Sequence, residues 1–309
     1  LKEYDVPSKP TVLLTGAAGY VASQLLVEFR DRYDLRLVDV SDRDRNGDLV
    51  EGVIVADLAD PNRSLYSELF EGVDSVIHLG YRSPARVTGG DVPPIERFDI
   101  EFSNIQMANN IYRSAYDVGV ERVVMASSNH AADWYEHALI HDRRMEIVSP
   151  DMVPMSDNFY GWAKASYELL GYPYASGVFG RKLEVVQIRI GAPRDVSGSR
   201  YEHESIGTES GGPGLQEFKR DLGAHLSERD LRQLVRRSIE TSDIENEHGI
   251  PWLVVYGISG NTRAFWSLES ARRILGYEPE DDSEVKYADD VRRLLTGADA
   301  SISGGRVGG

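Results

Sequence analysis

A tyrosine and a lysine four residues apart, Tyr160-Gly-Trp-Ala-Lys164, are the first residues of this chain whose types and spacing suit chemistry. On a helix the i, i+4 spacing puts phenol and ammonium on one face. A free phenol titrates near ~10 and is a poor base at neutral pH, but a fixed positive charge beside it stabilises the phenolate. The pair then becomes a proton acceptor for an alcohol. In a chain with 16 tyrosines the same spacing also arises by chance as a surface pair, so it needs support from elsewhere. Val123-Val-Met-Ala-Ser-Ser-Asn-His130 supplies it: an apolar, strand-like run that ends in four hydrogen-bonding side chains. Parallel sheets hold ligands beyond the carboxyl ends of their strands, which places Ser127, Ser128, Asn129 and His130 at a cleft. Taken alone, His130 reads as a structural or exposed histidine. The other histidines show no metal-ligand spacing, and no metal is expected.

Val12-Leu-Leu-Thr-Gly-Ala-Ala-Gly-Tyr-Val-Ala22 is an apolar run that enters a small-residue turn and then an amphipathic pattern. Gly16 permits a tight turn, Gly19 lets backbone approach a pyrophosphate, and Ala22 lets a helix pack closely on a strand. By itself a glycine-rich turn is only a turn. The next strand-like run, Leu35 to Val40, carries Asp39 at its end, about 20 residues beyond the turn, where a carboxylate accepts both hydroxyls of an adenosine ribose. Such a carboxylate repels a 2′-phosphate, so NAD is expected rather than NADP. A solvated acidic strand end is the plain alternative, and Arg43 or Arg45 folding over the ribose would soften the preference. Asp57, after the short apolar run at Val55, suits the adenine amino group. Hydroxyl, phenol and ammonium converging over a nicotinamide make an alcohol-oxidising constellation.

These residues need a scaffold. Strand-like runs at Val12 to Thr15, Leu35 to Val40, Ser75 to Leu79, Arg122 to Ala126, Leu183 to Ile190 and Trp252 to Tyr256 alternate with helical patterns at Tyr20 to Arg30, Ser103 to Val118 and Asn158 to Tyr174. Alternation of this kind predicts an α/β fold, a doubly wound parallel sheet with a small substrate-binding lobe. Residues 1–190 are expected to form the dinucleotide-binding domain, with 227–257 returning to it, and 191–226 and 258–296 the lobe. Ala132 to Asp157 and Ala192 to Lys219 lack either period and read as long functional loops. Ser227, followed by Glu228 and Asp230, predicts a helix N-cap, with Leu231, Leu234 and Val235 as the buried stripe. The Gly- and Ser-rich stretch 297–309 is expected to be disordered.

Composition narrows the classes further. With no cysteine, disulfide scaffolds and thiolate metal sites are excluded. Lys and Arg number 34 against 50 Asp and Glu, a net charge of -16 that disfavours nucleic acid and anionic membranes as partners. Local arginines can still hold an anionic small molecule. No apolar run is long enough to span a bilayer, and Leu1 opens a polar lead-in to Pro10, so a cytoplasmic protein is expected. Few lysines beside many arginines and acids fit salt adaptation or genome composition alike.

In order along the chain, Thr15-Gly-Ala-Ala-Gly-Tyr-Val-Ala22, Asp39, Asp57-Leu58, His78-Leu-Gly80, Asn104, Ser127-Ser128 and Tyr160-x-x-x-Lys164 resemble the extended short-chain dehydrogenase/reductases, the NAD-dependent epimerase/dehydratase family, over most of Thr11 to Pro279. Ala126-Ser-Ser-Asn-His130, Ile188-Arg-Ile-Gly191 and the stretch from Gly257 through Phe265-Trp266 to Pro279 are similar to uronate dehydrogenases and related sugar or sugar-phosphate 1-dehydrogenases. The resemblance implies a Rossmann fold. It implies that Gly16, Gly19, Tyr20, Val21, Asp39, Asp57, Leu58, Leu79, Gly80, Tyr81, Asn104, Ser127, Tyr160, Lys164 and Ile190 bind NAD. Tyr160 would be the base, Lys164 would lower its pKa and hold the nicotinamide ribose, and Ser128 would orient the reacting hydroxyl. Ser83, Ser128, Asn129, His130 and Arg220 would contact the sugar, Arg220 through its anionic group. Homodimerisation is implied by the same analogy.

The chain departs from the uronate enzymes at Ala192, at Tyr81-Arg82 and in its longer loops. A loop carrying Arg194, Arg200 and His203 is closer to the sugar-phosphate relatives. The reaction expected is NAD-dependent oxidation at C1 of an anionic monosaccharide to the aldonolactone. The alternative is a nucleotide-sugar epimerase or dehydratase that retains the reduced cofactor. Steroid or flavonoid reductases would want an apolar pocket, and a dinucleotide-sensing regulator would not need Tyr160 and Lys164.

Overall fold

The structure is a computed structural model and describes residues 9–201 and 214–296. The lead-in before Lys9, His203 and the stretch 297–309 expected to be disordered lie outside the described residues. Seven strands form one parallel sheet in the order β3-β2-β1-β4-β5-β6-β7. They are β1 (Thr11–Thr15), β2 (Asp34–Asp39), β3 (Val53–Val55), β4 (Ser75–His78), β5 (Arg122–Ser128), β6 (Glu184–Ile190) and β7 (Trp252–Gly257). The helices are α1 (Tyr20–Arg32), α2 (Pro84–Thr88), α3 (Phe98–Val118), α4 (Asp133–Tyr135), α5 (Phe159–Ala175), α6 (Leu215–Ala224), α7 (Glu228–Glu240), α8 (Glu269–Leu275), α9 (Ser283–Lys286) and α10 (Ala288–Thr296). This is the doubly wound α/β architecture that the alternating pattern predicts.

Local rules explain most boundaries. α3 begins at Phe98, five residues earlier than its apolar stripe, because Asp99 and Glu101 place negative charge on the positive end of the helix. It stops at Gly119, which takes the left-handed conformation (φ 89°) and donates its N–H to the carbonyls of Ala115 and Tyr116. Ser227 caps α7 by accepting from the Asp230 N–H at 3.2 Å, and Leu231, Leu234 and Val235 are buried as expected. β5 runs on to Ser128, two residues past its apolar run. β3 is too short to show a period; its register, Leu37 beside Val53 and Asp39 beside Val55, makes it the sheet's edge.

The chain divides into two compact units, Leu1–Ala126 with Ser166–Gln187 and Ser242–Leu253, and Ser127–Ala165 with Ile188–Thr241 and Val254–Gly309. The breaks fall inside β5, β6, β7 and α5, whereas the sequence pattern groups 1–190 with 227–257 and sets 191–226 and 258–296 apart as a lobe. In the first unit Val12, Leu13, Leu14, Leu25, Phe29, Val76 and Ile77 have no solvent exposure. Each such side chain stabilises the fold by about 1.5–3 kcal/mol. In the second, Val196, Tyr201, Phe218, Leu222 and Tyr287 form a separate cluster. The first irregular stretch holds α4 and a π-helical turn, Glu136–Ile140, and the second ends in α6. Among the described residues no helix is long and apolar enough to cross a membrane.

Candidate active site

In the first unit a cavity of about 240 Å³ opens where β1, β2 and β4 end. Gly16, Gly19, Tyr20, Val21, Asp39, Asp57, Leu58, Leu79, Gly80 and Tyr81 line it, and all were expected to touch the cofactor. Gly16 sits at φ +71°, and a Cβ there would stand 2.7 Å from the Gly80 nitrogen, so the turn tolerates no side chain. Asp39 is held by two backbone N–H groups, Ala18 at 3.0 Å and Val40 at 2.7 Å, which fix its carboxylate at the strand end. The Asp57 carboxylate accepts the Ala59 N–H at 3.0 Å. A bare glycine turn leading into a helix, with an oriented carboxylate beside it, fits a dinucleotide.

Arg43 and Arg45 do not line this cavity. Arg43 donates to the Gly47 carbonyl at 2.8 Å, and Arg45 lies 4.4 Å from the centre of the Tyr20 ring. Asn104 also stays outside the lining. It is fully buried and clamps Arg82, accepting its N–H at 2.8 Å and donating to its carbonyl at 3.0 Å, so it shapes the loop Gly80–Arg82. Ser83 caps α2 through the Arg86 N–H at 3.3 Å. Arg82, Arg86, His78 and Met107 line the cavity as well. The two arginines, one on each side of Ser83, were not singled out as cofactor ligands, although Arg82 is a sequence departure. Among the described residues neither guanidinium has an acidic partner.

The second unit brings the expected acid–base residues together. Ser127 and Ser128 end β5 and are buried; the Ser128 hydroxyl accepts the His130 N–H at 3.2 Å and donates to Asn129 Oδ1 at 3.3 Å. Tyr160 lies in the first turn of α5 and Lys164 one turn on, with Nζ 5.8 Å from the phenol ring centre. The His130 ring stands edge-on to Tyr160 at 5.6 Å. Ile190 ends β6 and is buried. A larger concavity of about 680 Å³ beside Ile147, Trp266 and Arg272 carries none of the expected site residues, and we place no chemistry there.

Arg220 is the exception to expectation. It is buried, 9% exposed, with its Nε 2.9 Å from Glu136 and its Nη1 3.4 Å from Asp221. Burial alone would raise the Glu136 carboxyl, but the Arg220 charge and hydrogen bonds from His141 and Arg220 outweigh it and hold it down at about 2. The guanidinium's charge is already met by two carboxylates. Asp133, His137 and Asp157 also gather, with ligand-type atoms within 4.8 Å of one another, a grouping invisible to sequence spacing. They are in hydrogen-bond use: His137 Nδ1 with Asp157 at 2.9 Å, and Asp133 Oδ2 with both His130 and Asn158.

The NAD dependent epimerase/dehydratase family model matches residues 12–189. An NAD-dependent glucose-6-phosphate dehydrogenase of Haloferax volcanii is 34% identical over 88% of this chain and 94% of that protein. A uronate dehydrogenase of Pseudomonas syringae pv. tomato is 33% identical over 89% of this chain and 83% of its own length. Among solved structures, an Agrobacterium tumefaciens uronate dehydrogenase mutant complexed with NAD superposes with a TM-score of 0.67 at 25% identity, covering 96% of this chain and 92% of that one. The chain belongs to the NAD dependent epimerase/dehydratase family and is an NAD-dependent oxidoreductase acting on CH–OH groups.

Proposed function

We propose that this enzyme is a sugar 1-dehydrogenase that oxidises C1 of an anionic monosaccharide, a hexuronate or sugar phosphate, to the aldonolactone. The observation that carries this reading is the constellation in the second unit: buried Ser128, Tyr160 with Lys164 one turn away, and His130 edge-on to the phenol. Tyr160 takes the proton of the C1 hydroxyl, and the Lys164 ammonium favours the phenolate that does so. Ser128 donates a hydrogen bond to the same oxygen as negative charge develops on it. Gly16, Gly19 and Asp39 would hold NAD, which would supply the hydride acceptor. Asn129 and His130 offer polar groups to the sugar. The two relatives named above act, by their names, on a sugar phosphate and on uronates, which supports an anionic substrate. At Arg220 such an anion competes with Glu136 and Asp221; Arg82 and Arg86 are the less encumbered cations. Exposed Phe98 and Phe102 on α3, and Trp162, Leu169 and Tyr172 on α5, support a homodimer, for which light scattering should return about twice 34.4 kDa.

The test is NADH absorbance on incubation with NAD and hexuronates, hexose phosphates or neutral hexoses. Turnover is expected with an anionic sugar, and Tyr160→Phe should lower kcat by roughly 10²–10⁴-fold, far more than it weakens NAD binding. Turnover of neutral hexoses alone removes the anionic assignment. Conversion of a nucleotide hexose without net NADH establishes the epimerase alternative instead.

A further inference from the structure

Asp133 has no solvent exposure, and an ionised carboxylate in that position is costly unless hydrogen bonds offset it. Its Oδ2 faces His130 Nδ1 at 3.1 Å and accepts from Asn158 Nδ2 at 2.7 Å. Each partner reaches a different part of the site. With Nδ1–H donating to Asp133, the imidazole presents Nε2 at its open edge; the His130 side chain is 35% exposed. Asn158 caps α5: its Oδ1 accepts the Gly161 N–H at 2.9 Å and its carbonyl accepts the Trp162 N–H at 2.9 Å. Tyr160 lies within that first turn, edge-on to His130. A single carboxylate oxygen therefore ties the imidazole to the helix that carries the phenol. Burial pushes the Asp133 carboxyl up, but the His130 hydrogen bond and charge, with Ser156 and Asn158, outweigh it and leave the carboxyl below its usual range. It is ionised at neutral pH.

We propose that Asp133 is a positioning residue for the oxidation: it holds His130 in the Nδ1–H tautomer with Nε2 available to the sugar, and through Asn158 it seats the turn that carries Tyr160. The assignment rests on the sugar-oxidising reading for its kinetic consequence, while the tautomer itself is independent of any substrate. Asp133→Ala removes both contacts. In Asp133→Asn the Asn158 donor keeps the amide oxygen at the Oδ2 position, where it still accepts from Nδ1–H.

The experiment combines long-range ¹H–¹⁵N spectra of ¹⁵N-histidine-labelled protein, with His130 assigned by His130→Gln, and steady-state kinetics with a sugar that the wild type oxidises. The expected spectrum is Nδ1–H for His130 in the wild type and Asp133→Asn, shifting toward Nε2–H in Asp133→Ala. The expected loss in kcat/KM for Asp133→Ala is about 10²-fold, mostly in kcat, with a smaller loss for Asp133→Asn and NAD affinity within about twofold of wild type. A wild-type spectrum dominated by Nε2–H overturns the proposal whichever variants fold. So does Asp133→Ala with kcat/KM within about twofold of wild type. A wild type that yields no NADH from any sugar counts against the sugar-oxidising reading instead, and the tautomer then decides the Asp133–His130 pairing by itself.

Discussion

Asp39 shows how much one side chain carries. Its two oxygens accept backbone N–H groups at Ala18 and Val40, so the carboxylate is fixed at the cavity wall before any ligand arrives. A fixed carboxylate meets ribose hydroxyls without reorganisation and opposes a 2′-phosphate. Arg43 and Arg45, the cations that follow it in the sequence, are held by Gly47 and Tyr20. We expect Asp39→Ser to weaken NAD binding about tenfold and to improve the NADP-to-NAD ratio of kcat/KM by about two orders of magnitude, as an opposed charge pair is worth one to a few kcal/mol. An unchanged ratio would show that another group selects the cofactor. The place of Asp39 at the cavity wall was legible in the sequence because it follows from strand, turn and distance along the chain. Arg220 was only half legible: its type suits an anion, but Glu136, 84 residues away, already occupies its Nε.

Among the elements, α5 carries the proposed base, Tyr160, and its seating is set by the segment after β5. A Cβ on Gly161 would stand 2.0 Å from the His130 carbonyl oxygen and 2.2 Å from the Ser156 hydroxyl. The backbone after β5 thus lies directly on the first turn of α5, and only glycine allows this approach. Gly161→Ala must displace the turn, the His130 segment or both; a destabilisation of about 1–3 kcal/mol is expected from overpacking of this kind. Activity should fall much further than stability, because Tyr160 moves with the turn. Urea unfolding and initial rates on the same preparation check it; full activity per folded molecule would show that the turn can shift without consequence. The helix itself is plain in the sequence, with its expected span of Asn158 to Tyr174 close to the observed Phe159–Ala175. Its contact with His130 is not, since periodicity reports which face is buried and not what covers it.

At the scale of the whole molecule, acid stability turns on a histidine outside the reaction. His225 is buried under Tyr287, ring centres 5.6 Å apart, and burial, aided by the Lys286 charge and opposed by contacts to Arg194, Asp281 and Asp195, lowers it from 6.5 to about 4. A folded-state value below the unfolded one means that protons bind the unfolded chain more tightly in this range. Its stabilising contribution, present above pH 6.5, is therefore lost as pH falls from 6.5 toward 4, amounting to about 3 kcal/mol. Unfolding free energies at pH 7 and pH 4.5 should show a shallower decline for His225→Phe than for the wild type; identical slopes would assign the acid sensitivity in this range to other groups. The sequence alone determined what short range controls: alternating periods that make an α/β sheet, a glycine turn before a carboxylate at a strand end, the Ser227 cap, and a tyrosine–lysine pair one helical turn apart. Those features need only neighbours within a turn or a strand. What the tertiary structure alone decided is which charges are spent. Asp133 on His130 and Asn158, and Glu136 on Arg220, join residues up to 84 positions apart. Desolvation and pairing of a charge depend on what surrounds it in space, and neither composition nor periodicity encodes that.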